Sequence, residues 1–229
     1  MARTALFLSP GAELAPAVAL ARRADALGYE SLWVTHGIGR DALQVLAAYG
    51  HVAPHAGLGS GVIPIYPRHP VLLAQEALTL SDVSGGRLRL GIGVSHKPMM
   101  EAALGLDMGR PLEVTREYVT VLRAALTGKV QHQGARYRVN WQSGLPRVPA
   151  APPILLGGLA PRMLELAGEI ADALAASGHA MSGEDDQHVR SVITLAHAEW
   201  PDELVTDALH AILPRATPRP PDLEYFTPN

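Results

Sequence analysis

Six short β-prone runs in this 229-residue chain each end in residues that could hold or move a proton, or that expose backbone. The pairs are Ser9 and Pro10, Thr35 and His36, Pro64 and Tyr66, Ser95 and His96, Gly157 and Gly158, then Ser177 and His179. An imidazole near neutral pH both gives and accepts a proton, which makes His36 and His96 the candidate proton donors. Gly157-Gly158 precedes Pro161 at a helix start. That order fits an anion held by backbone N–H groups at a helix N-terminus, and equally an ordinary strand-to-helix turn. Gly57-Leu58-Gly59-Ser60-Gly61 permits a bulge or a close ligand approach inside a strand, or simply tight packing on a neighbour.

Other chemistry is poorly supported. His51 and His55 have zinc-pair spacing, but Pro54 ends the helix between them. Gly91-Ile92-Gly93 lacks the third glycine and the following helix of a dinucleotide fingerprint. Asp185 and Asp186 read as a solvated first helical turn, and Met99-Met100 as core or pocket lining. With no cysteine, thiolate catalysis, thiolate metal sites and iron–sulfur clusters are excluded, and no metal site is expected.

The elements that position these residues alternate regularly. Strands are expected at Thr4–Leu8, Ser31–Val34, Leu58–Ile63, Arg87–Ile92, Pro153–Leu156 and Asp172–Ala176. Between them the apolar spacing predicts helices over Leu14–Leu27, Asp41–His51, Pro70–Val83, Leu112–Leu126 and Pro161–Gly168. Helices over Glu184–Ala198 and Asp202–Leu213 and a short strand at Ala135–Val139 complete the reading. Alternation of this kind means βαβ units and a parallel sheet, with ligands at the carboxyl ends of the strands. Six strands fall short of the eight of a closed barrel, leaving a shortened barrel or an open α/β sheet. One domain over 1–213 and a Pro-rich tail over 214–229 are expected.

The chain is 48% hydrophobic and 18% charged, with a formal net charge of -3. Nineteen basic residues against 22 acidic ones, without a basic run, do not make a nucleic-acid footprint. No apolar stretch approaches the ~20 residues of a membrane span. The expectation is a cytoplasmic protein with neither nucleic-acid nor membrane partners.

Several motifs in order carry a family resemblance. Gly28-Tyr29-Glu30-Ser31-Leu32-Trp33-Val34, Leu58-Gly59-Ser60-Gly61-Val62-Ile63-Pro64, Arg68-His69-Pro70 and Leu80-Ser81-Asp82-Val83-Ser84-Gly85-Gly86-Arg87-Leu88 resemble the luciferase-like monooxygenase superfamily. Leu90-Gly91-Ile92-Gly93-Val94-Ser95-His96 and Leu156-Gly157-Gly158-Leu159-Ala160-Pro161-Arg162-Met163-Leu164 are similar to its coenzyme F420-dependent oxidoreductase branch. The resemblance implies a (β/α)8 TIM-barrel-like fold, here shortened to about six β/α units, and a homodimer acting on a small-molecule substrate. It implies a non-proline cis peptide at Ser60-Gly61 or Gly61-Val62, bulging against the central ring of reduced F420, or FMN as the alternative. Ser60, Gly61, Val62, Ser95, Gly157 and Gly158 would bind that cofactor, the last two through its phosphate, with His96 and His36 as catalytic residues. Two departures stand out: Thr35-His36-Gly37 replaces the family's Ser-Asp-His, and Ala171-Asp172-Ala173 its Ala-Asp-Gly. The alternative reading is a shortened, non-redox member that binds a ligand or flavin without turnover.

Overall fold

A computed structural model describes residues 3–37, 39–158, 160–175 and 191–197. Eight strands form one sheet. They are β1 (Arg3–Ser9), β2 (Ser31–Val34), β3 (Gly57–Ser60), β4 (Ile63–Pro64), β5 (Leu88–Gly93), β8 (Ile154–Gly157), β9 (Ala173–Ala175) and β10 (Ser191–His197). Their order is β10-β1-β2-β3-β5-β8-β9, all neighbours parallel, with β4 continuing the β3 line along β5. The helices α1 (Leu14–Ala26), α2 (Ala42–Val52), α3 (Pro70–Val83), α4 (Pro111–Leu126) and α5 (Pro161–Ile170) join successive strands, as βαβ units require. This is the expected α/β, TIM-barrel-like architecture, and among the described residues the sheet is open, ending in β9 and β10.

Alternation along the strands sorts the two faces. Leu6, Leu8, Leu32, Val34, Leu58, Leu90, Ile92, Ile154 and Leu156 are buried with the helices in one core. Each fully buried leucine contributes roughly 1.5–3 kcal/mol relative to exposure. Phe7 and Trp33, at the intervening positions, stay half-exposed on the opposite face. Helix ends follow local chemistry. Asp41 caps α2 by accepting the Gln44 N–H at 3.1 Å, and Pro70, Pro111 and Pro161 open α3, α4 and α5. At the far end of α3, Gly86 takes φ +80°, and its N–H donates to Ser81 O at 2.7 Å.

Arg87 closes the amino ends of the strands. Its guanidinium donates to the carbonyls of Gly50, Ala53 and Ala56 and its Nε to that of Ser84, which ties the end of α2 to the end of α3 and the approach to β3.

Three expectations are corrected. Ser191–His197, expected inside a helix over 184–198, is a strand paired with β1 through all of Arg3 to Ser9. Its Val192-Ile193-Thr194 run of β-branched residues loses rotamer freedom in a helix and suits a pleated sheet. Consequently β1 is not an open edge, as six strands would have left it. The short strand at Ala135–Val139 is instead the turn and return arm of a hairpin, β6 (Lys129–Gln133) with β7 (Arg138–Gln142). A π-helical turn at Pro98–Ala103, absent from the sequence reading, follows β5 and buries Met100. Ser177, His179, the helix over 202–213 and the boundary at 213 lie outside the described residues.

Candidate functional site

The site is built from a slip in register. Gly59 pairs with Arg89 and Ile63 with Ile92, so Ser60, Gly61 and Val62 oppose only Leu90 and Gly91. One extra residue in this line makes a bulge between β3 and β4. The Gly61–Val62 peptide bond within it is cis, one of the two bonds singled out above.

Ser60 locks the bulge. Fully buried, its Oγ donates to Gly91 O and accepts the Gly91 N–H, both at 2.9 Å. Those bonds satisfy backbone groups that the interrupted ladder leaves open. They also occupy the hydroxyl. Gly61 N–H donates to Val34 O at 2.9 Å, which ties the bulge to the end of β2 just before Thr35 and His36.

Val62 explains the neighbouring glycines. A Cβ at Gly91 would stand 1.8 Å from Ser60 O, and Cβ atoms at Gly93 and Gly157 would stand 2.7 and 2.9 Å from the Val62 methyls. The Gly91-Ile92-Gly93 pattern therefore makes room for the chain's own bulge. On the other side Trp33 lies across Gly59 and Phe7 across Gly61, where added Cβ atoms would come within 2.4 and 2.7 Å of the rings. Phe7 and Trp33 stack at 5.8 Å between centroids and 26°. Their half-exposed rings form an apolar floor against Gly59 and Gly61 on the face the helices leave free, at the edge of the bulge that carries Val62.

Polar groups rim this floor. Gly158 follows β8, and a side chain there would meet Met163, with its Cγ 2.5 Å from the added Cβ. No side chain caps α5. An uncapped helix start can receive an anion. After β5, Ser95 holds φ +63°, rare for a residue with a Cβ, and leads into the exposed His96.

His36 is the better-defined imidazole. The Ala42 N–H donates to its Nδ1 at 3.2 Å, so the neutral ring carries its proton on Nε2. Burial, then the nearby Arg68 guanidinium, holds its pKa below the ordinary imidazole value despite Asp41. Arg68 in turn donates to Asp41 and lies 3.1 Å from Glu76 Oε2.

The structure thus brings Ser60, Gly61, Val62 and Gly157 into one packed unit, with Gly158 next along the chain; His36 and His96 follow β2 and β5, the strands on either side of the bulged line, at the same end of the sheet. Sequence reasoning missed Phe7, Trp33 and the Asp41–Arg68–Glu76 group. The signal for the aromatics was present, since they occupy odd positions between Leu6 and Leu8 and between Leu32 and Val34. Among the described residues no group of three or more His, Cys, Asp or Glu is placed to hold a metal, and no helix is long and apolar enough to cross a membrane.

Residues 1–202 match the luciferase-like monooxygenase family. The chain belongs to that family. It is 31% identical over 156 residues to a 5,10-methylenetetrahydromethanopterin reductase of Methanolobus tindarius, covering 67% of this chain and 47% of that protein. The coenzyme F420-dependent tetrahydromethanopterin reductase of Methanopyrus kandleri superposes with a TM-score of 0.68 at 25% identity, covering 76% of this chain and 55% of that one. A type II Baeyer–Villiger monooxygenase of Pseudomonas putida, in complex with FMN, shares the fold with a TM-score of 0.60 at 19% identity, covering 70% and 52% of the two chains. The chain spans about half the length of the curated relatives it matches.

Proposed function

We propose that this protein is an oxidoreductase of the luciferase-like type that holds a deazaflavin or flavin ring on the floor made by Phe7 and Trp33, at the edge of the bulge that carries Val62. The floor carries this reading: an aromatic pair left half-exposed on a helix-free sheet face, beside a bulge locked by Ser60. The residues present suit such a group, with apolar contact for a flat ring and the uncapped start of α5, just after Gly157 and Gly158, for a phosphate. When bound, reduced F420 would supply hydride for an electron-poor C=C, C=N or C=O of a small organic substrate, whereas reduced FMN would supply oxygen activation.

The chain's own part is positional and protonic. Ser60 shapes the bulge without spending its hydroxyl on a ligand, and Val62 presents the bulge to the ring. The turn through Gly157 and Gly158 leads to the uncapped start of α5, which would take the anion, and Ser95 steers the turn beside the ring. His36 donates the proton from Nε2, its ring oriented by the Ala42 N–H, and His96 is the second candidate donor. A homodimer in the cytoplasm belongs to the same reading, and Leu72 and Val83, exposed on α3, are apolar surface that a second copy would cover.

Fluorescence titration of the purified chain with F420 and with FMN tests this. Saturable F420 binding, weakened in Trp33→Leu, is expected, and oxygen consumption separates the FMN variant. Tight binding of neither ring would leave the non-redox alternative. Light scattering gives the oligomeric state.

A further inference from the structure

We propose that the depression between the β6–β7 hairpin tip and the segment joining β4 to α3 binds the oxyanion group, phosphate or carboxylate, of a small molecule through Arg136 and Arg138. This inference does not depend on the redox reading. The depression encloses about 410 Å³ and is lined by Tyr66, Arg68, His69, Arg136, Tyr137 and Arg138. That volume lies within the range of small-molecule sites.

Charge is left over in this lining. Arg68 is committed to Asp41 and Glu76. The Arg136 guanidinium has no ion pair among the described residues: its Nη2 donates to Asp107 O at 2.8 Å, its side chain bonds the Tyr137 hydroxyl, and its Cζ sits 5.3 Å from the Tyr66 ring centroid. The Arg138 guanidinium, exposed, has neither a hydrogen bond nor an ion pair among the described residues. The surrounding carboxylates are already engaged, Asp107 with the Gly109 N–H and Glu117 with the hairpin itself. The whole Arg138 fork and the remaining donors of Arg136 are thus left for a ligand, and oxyanions fit such a fork.

The arginines stand on a segment that is fixed in advance. Glu117, on α4, accepts the N–H groups of Tyr137 at 2.8 Å and Arg136 at 3.1 Å and contacts His132 Nε2 at 3.2 Å. Tyr137 is held edge-on against His69 at 5.5 Å and Tyr118 at 5.9 Å. Tyr66 donates to Met108 O at 3.0 Å, and His69 Nδ1 accepts the Val71 N–H. Rigid walls lower the ordering cost of binding.

Calorimetric titration of the full chain at low salt with inorganic phosphate, and separately with succinate, tests the site. Binding of at least one is expected, weakened about tenfold by Arg138→Glu and several-fold by Arg136→Lys, the latter keeping charge but not the fork. Arg138 makes no bond that folding needs, so the melting temperature of Arg138→Glu without ligand should match that of the parent. The tighter of the two probes identifies the ligand group. No binding of either probe up to about 10 mM, the weak end of useful affinity, overturns the proposal. So does binding that Arg138→Glu leaves unchanged, because it then resides elsewhere, as at the Gly158 turn.

Discussion

A Val62 methyl lies 2.9 Å from the point where a Cβ at Gly157 would stand, so a side chain from one strand line fills the volume that a glycine two strands away gives up. The same valine presses on Gly93 across β5. Bulge and glycines are therefore one packed unit, and it can be tested from either side.

Gly91→Ala should be the most damaging single change there. Its Cβ would meet the Ser60 carbonyl at 1.8 Å, and backbone cannot swing away as a side chain can. A loss of about 3 kcal/mol or more in urea unfolding is expected, together with loss of ring binding. Alanine tolerated within about 0.5 kcal/mol would mean the bulge is placed otherwise.

Ser60→Ala removes both bonds to Gly91 and leaves a buried N–H and C=O without their partner. The expected cost is about 1–3 kcal/mol. Hydrogen exchange should speed selectively at Gly91, and unchanged protection there would contradict the clamp.

His36 should titrate below the ordinary imidazole midpoint of about 6.5, because burial and Arg68 disfavour its cation. A depressed histidine pKa means that the unfolded chain takes up the proton first. Its contribution to stability is therefore complete above about pH 6.5 and fades as pH falls towards the folded value. Arg68→Met removes the second of the two causes and leaves Asp41 unpaired, so the midpoint should move up. Ring-proton NMR across pH 4 to 8 reads it, and a midpoint that stays or falls would show that Arg68 has no part.

Tyr118→Phe is expected to leave stability unchanged or raise it by up to about 1 kcal/mol. The side chain is fully buried, and its hydroxyl has no hydrogen-bond partner among the described residues, so folding strips it of water with nothing in return. Thermal denaturation of the pair of proteins is sufficient, and a drop in melting temperature of several degrees would point to a bound water that holds the hydroxyl.

The sequence carried the β/α alternation because a doubly covered strand and an amphipathic helix have different apolar periods, and Pro70, Pro161 and the Gly85-Gly86 pair mark helix ends locally. The bulge was legible only as a cluster of glycines around Ser60. Whether Gly91, Gly93 and Gly157 yield space to a ligand or to Val62 depends on the register of β4 against β5, which no local pattern contains. The strand at Ser191–His197 was hidden because its apolar residues also fit helical spacing, and pairing with β1, which is remote in sequence, outweighed that pattern. The Arg136–Arg138 tip read as part of a short strand over Ala135–Val139, and nothing local in it shows that Glu117, from another element, fastens it beside Tyr66.

The partner that covers the outer side of the first strand is made some 180 residues later, since Arg3 to Ser9 align with Ser191 to His197. At 5–20 residues per second, a growing chain would hold an unmatched row of amides for roughly ten to forty seconds before that partner emerges. Assembly of this sheet on the ribosome is a matter of waiting, and holdase chaperones that shield extended segments should raise its soluble yield.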